Sequence, residues 1–205
     1  MRPPSTSRPP WRSARPVVTE IRPARTGQLL LALDGEPWRE LPVDVVARML
    51  LRVGSELDRP RLRELRRELR RAEALAVAGR ALRHRDHSAR SIEARLERAG
   101  VAADAREQAL ETLQRVGYVD DERLAERRAR VLCDRGWGDA AIAADLERQG
   151  VDAGAATTAL AALEPEHERV RRIVDERGPG TKTLSYLLRR GFDEDAVGPF
   201  VADGP

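Results

Sequence analysis

The chain has 205 residues, with 37 Lys and Arg against 34 Asp and Glu, a net charge of +3. Hydrophobic residues at 41% support a packed core, and aromatics at 3% require that core to be mostly Leu, Val, Ile and Ala. A single cysteine, Cys133, excludes an intramolecular disulfide framework and any multi-Cys zinc site, and fits a reducing compartment.

Residues 1–16 hold Arg2, Arg8, Arg12 and Arg15, five prolines and no acid, a composition expected to be disordered. The prolines also break the amphipathic helix that an organellar transit peptide needs. Without this tail the body has 33 basic and 34 acidic residues, so the basic excess sits largely at one end.

From Val17 the chain alternates to Ile21, and Gln28 to Leu33 is an apolar stretch whose Leu29 to Leu33 is the longest unbroken apolar run, far short of the roughly 18 residues of a spanning helix. The chain is expected to be soluble and cytoplasmic. Asp34-Gly35 suits a type I′ turn, and Glu36 to Glu40 is expected to return as a third strand held to an edge by Pro37. A helix then starts near Pro42, with Val45, Val46, Met49, Leu50 and Val53 on one apolar face ending at Gly54. Leu62, Leu65, Leu69, Ala72, Leu75 and Ala76 recur at helical spacing in a long amphipathic helix. Its first half is basic, with seven arginines from Arg59 to Arg71 against Glu64 and Glu68. Two readings fit: a solvated face with Glu64–Arg67 and Glu68–Arg71 pairs, or a patch for an acidic partner or nucleic acid.

Internal repetition follows. Ile92, Leu96, Glu97, Arg98, Gly100 and Val101 recur fifty residues later as Ile142, Leu146, Glu147, Arg148, Gly150 and Val151. Ala105, Ala109, Leu110 and Leu113 likewise recur as Ala155, Ala159, Leu160 and Leu163. A weaker third copy carries Ile173, Leu187, Arg189, Gly191, Phe192 and Ala196. Each copy reads as helix, loop, helix ending at a glycine, then a third helix, because the residue past a helix end is commonly left-handed. The expected fold is mainly α: three tandem three-helix repeats in an elongated body, behind a small β element and the tail. The expected segments are 1–16 (tail), 17–58 (β element plus helix), 59–117, 118–164 and 165–205 (the three repeats).

No catalytic constellation is evident, so an enzyme is not expected, and neither is a cofactor. His84-x-x-His87 with Asp86 has metal-ligand spacing but no second cluster, and polar loop residues are the simpler reading. Gly178-Pro179-Gly180-Thr181-Lys182-Thr183 lacks the adjacent Gly-Lys-[Ser/Thr] and the preceding strand of a phosphate loop, so it reads as a helix connection. In Gly117-Tyr118-Val119-Asp120-Asp121-Glu122-Arg123-Leu124-Ala125, Gly117 ends a helix, Tyr118 and Leu124 anchor it, and Asp120 or Asp121 caps the next helix. Trp137, within Arg135-Gly136-Trp137-Gly138, is either a packed lid or an exposed partner anchor.

Residues 117–125, the RGWG loop at 135–138, and Ile142, Leu146, Gly150 and Val151 after it resemble the RecX family, bacterial regulators of the RecA recombinase. Leu124 stands where that family usually has Phe, and in the third repeat Thr183 stands where an apolar residue is usual. The resemblance implies a non-enzymatic regulator that binds the RecA filament on single-stranded DNA. It would restrain RecA's ATPase, strand-exchange and coprotease activities, and so act in homologous recombination, DNA repair and the SOS response. In that reading Arg90, Arg95, Arg98, Arg127, Arg128, Arg130 and Trp137 are candidate partner contacts of a monomer. Gly117, Tyr118, Asp120, Asp121, Gly100, Gly150 and Gly191 are signature or structural positions. The alternative is a general DNA-binding helical module using the arginine-rich N-terminal half.

Overall fold

The computed structural model describes residues 15–200, and the first elements among them form the sheet that alternation and turn chemistry predict. Strands β1 (Val18–Pro23), β2 (Gln28–Leu33) and β3 (Glu36–Pro42) form an antiparallel sheet in the order β1-β2-β3. Asp34 and Gly35 turn the chain between β2 and β3 with φ of 52° and 88°. Pairing of Leu31 with Ile21 and Arg39, and of Leu29 with Leu41, sets the register. The expected tail lies outside the described residues except for Arg15 and Pro16. Of these, Pro16 is already part of the fold, its carbonyl accepting from the Leu57 amide at 2.8 Å.

One face of the sheet packs on α1 (Val43–Arg48) and the first half of α2 (Arg59–Leu82). The core joins Val18, Leu31, Leu33 and Leu41 to Val45, Val46, Met49, Leu51, Leu57 and Leu65. Here the expected apolar face needs correction. The first helix stops at Arg48, and Leu50 and Val53 are 79% and 62% exposed, while Leu51 is buried. Leu50 takes the left-handed conformation (φ 48°) that closes the helix end. The Leu50 amide donates to Ala47 and the Leu51 amide to Val46, which swings Leu51 inward and Leu50 out. Gly54, at φ 90°, lies in the following turn. Along α2 the buried alanines are Ala74 and Ala78, and Ala76 is exposed.

The remaining helices are α3 (Ala89–Arg98), α4 (Ala103–Arg115), α5 (Asp121–Asp134), α6 (Asp139–Arg148), α7 (Ala153–Ala161), α8 (Glu166–Arg177), α9 (Thr181–Arg189) and α10 (Glu194–Val197). The described residues divide into two compact units, one of 15–77 with 99–109, the other of 78–98 with 110–200. In the second unit, α5, α6 and α7 close around Ala125, Ala129, Ile142, Leu146, Val151 and Ala159. Helices α8, α9 and α10 close around Val170, Val174, Leu187, Phe192 and Val197. Alanine at the contact positions lets these short helices approach closely, which suits a chain poor in aromatics. Thr183, the polar substitution in the third copy, is buried with its hydroxyl donating to the Gly178 carbonyl at 2.8 Å.

Helices α4, α5, α6 and α9 share one ending. The residue past the cap (Gly117, Gly136, Gly150, Gly191) is left-handed, and its amide and the next one reach back to the last turn. Two of these endings also receive a neighbouring helix. The amide of Gly138, just before α6, donates to the Arg190 carbonyl at 2.9 Å, and the Ala140 amide donates to Gly191 at 3.2 Å. The start of α3 sits on the end of α6 in the related way, with the Ser88 hydroxyl donating to the Gln149 carbonyl at 2.6 Å. In each case a carboxylate from the next copy's first helix accepts from the docked helix's first turn. Asp121 accepts from the Ala89 amide at 2.9 Å, and Glu166 accepts from the Asp139 amide at 2.7 Å.

These contacts rank the glycines. A Cβ on Gly138 would lie 2.2 Å from the Gly191 carbonyl oxygen, and one on Gly191 would lie 2.5 Å from the Ala141 Cβ. Around Gly100 there is open space, and only its φ of 74° opposes a side chain. Gly100→Ala is therefore expected to cost about 1 kcal/mol, and Gly138→Ala about 3 kcal/mol or more, because backbone rather than a mobile side chain must move. Urea midpoints in the order Gly100→Ala above Gly138→Ala check this; the reverse order would refute the docking.

Candidate functional site

The candidate surface is built around α5. Asp120 caps that helix, its carboxylate accepting from the Arg123 amide at 2.9 Å, and Asp121 caps α3 as described above. The two adjacent acids thus serve two different helices. Tyr118 is not the anchor that its place in the signature suggests: it is 66% exposed, and Val119 is the buried residue of this turn. The Tyr118 and Val119 amides both donate to the Leu113 carbonyl, which tucks Val119 under the helix end and leaves the phenol in solvent. Leu124 packs against the core of α5, α6 and α7.

The six candidate arginines do not converge on one place. Arg127 is exposed and pairs with Asp86, in the loop before α3. Arg128 is half-buried and forks onto Asp145 of α6, with Nη2 3.0 Å from Oδ1 and Nε on Oδ2. Arg148 adds a third hydrogen bond at 3.1 Å. Arg128, with Arg148, holds the Asp145 carboxyl below the usual carboxylate range. This pair ties α5 to α6 and is structural. Arg127 and Arg128 share an open depression with Arg85, Arg135 and the exposed Val131. Arg90 lines a different, mixed-charge depression with Glu93, Glu147 and Asp152. Arg95, Arg98 and Arg130 line neither; Arg98 donates to the Ala94 carbonyl of its own helix, Arg95 is half-buried on α3 with its Nε enclosed, and Arg130 is exposed on α5.

Trp137 takes the packed arrangement. Its ring is half-buried beneath Arg190, whose guanidinium carbon lies 4.8 Å from the ring centroid, and it packs on the α5–α6–α7 core. Gly100, Gly150 and Gly191 are left-handed at φ of 74°, 74° and 78°. The Gly178–Thr183 segment connects α8 to α9. His84 is exposed. His87 is buried with Nδ1 3.1 Å from the Ser91 hydroxyl, and no metal-binding cluster is present among the described residues.

Arg169 carries structural weight that sequence reasoning overlooked. It is 2% exposed; Nε donates to the Glu164 carbonyl at 2.9 Å, Nη1 to the Trp137 carbonyl at 3.1 Å, and Nη2 to the Asp139 carboxylate. It lies over the Phe192 ring, 5.7 Å from the centroid. One guanidinium thus satisfies groups from the α5–α6 loop, α6 and the α7–α8 loop. In the sequence the only signal is Glu166 and Arg169 in the first turn of a helix, which is indistinguishable from ordinary surface charge.

The described residues thus define a mainly helical protein of short glycine-ended helices with a small leading three-stranded sheet. The family model for the second three-helix domain of RecX matches residues 120–160, which span α5, α6 and most of α7. Regulatory protein RecX of Stenotrophomonas maltophilia (strain K279a) is 31% identical over 123 residues, covering 55% of this chain and 76% of that protein. Regulatory protein RecX of Xanthomonas axonopodis pv. citri (strain 306) is 32% identical over the same shares. A crystal structure of a regulatory protein RecX superposes with a TM-score of 0.75 at 19% identity, covering 92% of this chain and all of that one. RecX from Lactobacillus salivarius gives a TM-score of 0.55 at 17% identity, over 65% of this chain and 96% of that one. The chain belongs to the RecX family of regulatory proteins.

Arg169→Met is expected to destabilise by about 3–5 kcal/mol, since Asp139 and two carbonyls lose their buried partner. Arg172→Ala, which removes an exposed pair with Glu164, is expected to cost less than about 1 kcal/mol. Chemical denaturation of both variants checks the contrast. A third prediction concerns pH. Burial first, then the positive charges of Arg95 and Arg85, push the His87 pKa below its ordinary 6.5. The unfolded chain then binds the proton more readily, so stability present above about pH 6.5 falls as pH drops toward the folded pKa. Unfolding free energies between pH 7 and 5 should fall in the native protein and flatten in His87→Gln.

Proposed function

We propose that this protein regulates the RecA recombinase by binding the RecA filament on single-stranded DNA and lowering its ATPase, strand-exchange and coprotease activities. The observation that carries the reading is family membership: regulatory RecX relatives match over three quarters of their length. The surface chemistry supports it. Arg85, Arg135 and Arg127, the last paired with Asp86, surround an open depression beside the exposed Val131, a net-basic combination that suits an acidic segment with an apolar contact. In this reading the protein acts as a monomer in the cytoplasm, by occupying filament surface rather than by catalysis. Arg127, Arg130 and Arg135 are the contacts placed on the filament side, with Arg90, Arg95 and Arg98 as further contacts from α3. Arg128 and Trp137 hold the surface in shape.

The test is RecA's ATP hydrolysis on single-stranded DNA, followed as this protein is titrated in. Hydrolysis is expected to fall as the protein approaches stoichiometric amounts, and Arg127→Glu with Arg130→Glu is expected to weaken the effect about tenfold, some 1.4 kcal/mol of binding. Hydrolysis unchanged at equimolar protein would sink the proposal.

A further inference from the structure

Helix α2 carries a straight row of cations that the α5 surface does not use. Arg59, Arg63, Arg66, Arg67 and Arg70 are spaced i, i+4, i+7, i+8 and i+11, which places all five within an arc of about 100° along about 16 Å of helix. Pro60, Arg63, Arg66, Arg67 and Arg70 line one shallow open groove. Of the acids on this stretch of α2, Glu64 lies at the flank of the row, beyond Arg67, and Glu68 is engaged elsewhere. Glu68 points away from the row and accepts from Arg48 at 2.9 Å, with Arg71 at 3.8 Å. At the end of the row Asp104 meets Arg70 at 3.3 Å, on the Nη2 atom. Among the described residues no carboxylate pairs with Arg66 or Arg67.

We propose that this row binds the phosphate backbone of a nucleic-acid strand. A protein partner would call for apolar anchors among the charges, and the groove wall offers only Pro60. Phosphates need cations at regular spacing and nothing else, and guanidinium forks match phosphate oxygens two at a time. The groove has no aromatic side chain on which a base would stack, so the contact is independent of base sequence. The inference deepens the proposed regulation by giving the protein its own hold on the DNA that the filament covers.

The experiment uses the full chain without RecA, so its failure would leave the ATPase result standing. Affinity for a fluorescent single-stranded oligonucleotide is measured by anisotropy across a salt series. Each arginine that neutralises a phosphate adds about 0.7 to the slope of log affinity against log salt. Arg63→Gln, Arg66→Gln and Arg67→Gln together are expected to lower that slope by about 2. A control triple of equal charge, Arg115→Gln, Arg171→Gln and Arg189→Gln, is expected to leave it nearly unchanged. All six side chains are exposed, so matching urea midpoints for the two triples verify folding. An unchanged slope in the α2 triple, or an equal drop in both triples, would overturn the site. So would an α2 triple that binds DNA normally yet no longer affects RecA, since the row would then face protein.

Discussion

The second unit depends on the close approach of one helix start to the glycine-ended turn of another. At Gly138 and Gly191 the two backbones lie so near that a single added carbon would collide with main-chain atoms. Two amide-to-carbonyl hydrogen bonds cross that contact, and Glu166 and Arg169 brace it from α8. The start of α3 on the end of α6 repeats the idea with side chains, Ser88 donating to Gln149 and Asp121 accepting from Ala89. Short helices with small apolar faces bury little area each, so backbone hydrogen bonds and capping carboxylates at these joints supply specificity that area cannot.

This economy explains how the charges divide. Arg128 and Arg169 are spent inside the unit, holding helices together through Asp145 and Asp139. Other arginines of α5 and α2 stay nearer the surface, several of them paired locally, as Arg127 is with Asp86 and Arg70 with Asp104. The near-neutral body carries its cationic surfaces on separate elements.

Much of this was legible residue by residue. Hydrophobic periodicity placed α2, and the fifty-residue recurrence of Ile92, Leu96 and Gly100-Val101 as Ile142, Leu146 and Gly150-Val151 marked related helices and helix ends. Asp34-Gly35 announced its turn because both backbone angles are a local property of the dipeptide. The errors came where a helix end decides which neighbour turns inward. Leu51 rather than Leu50, and Val119 rather than Tyr118, are buried because a left-handed residue or a shared carbonyl rotates the chain by one position, which periodicity does not encode.

Composition, periodicity and turn chemistry thus determined the mainly helical class, the small leading sheet, the caps and the family signature, since each rests on interactions within a few residues. The tertiary structure decided which glycine is a joint and which is only a turn. It also decided which arginine is buried and which is free, and that the candidate arginines lie on separate surfaces. Those properties depend on residues tens of positions apart meeting in space. Gly138 reads as a loop residue until Gly191 lies against it, and Arg169 as surface charge until Trp137 and Asp139 close around it.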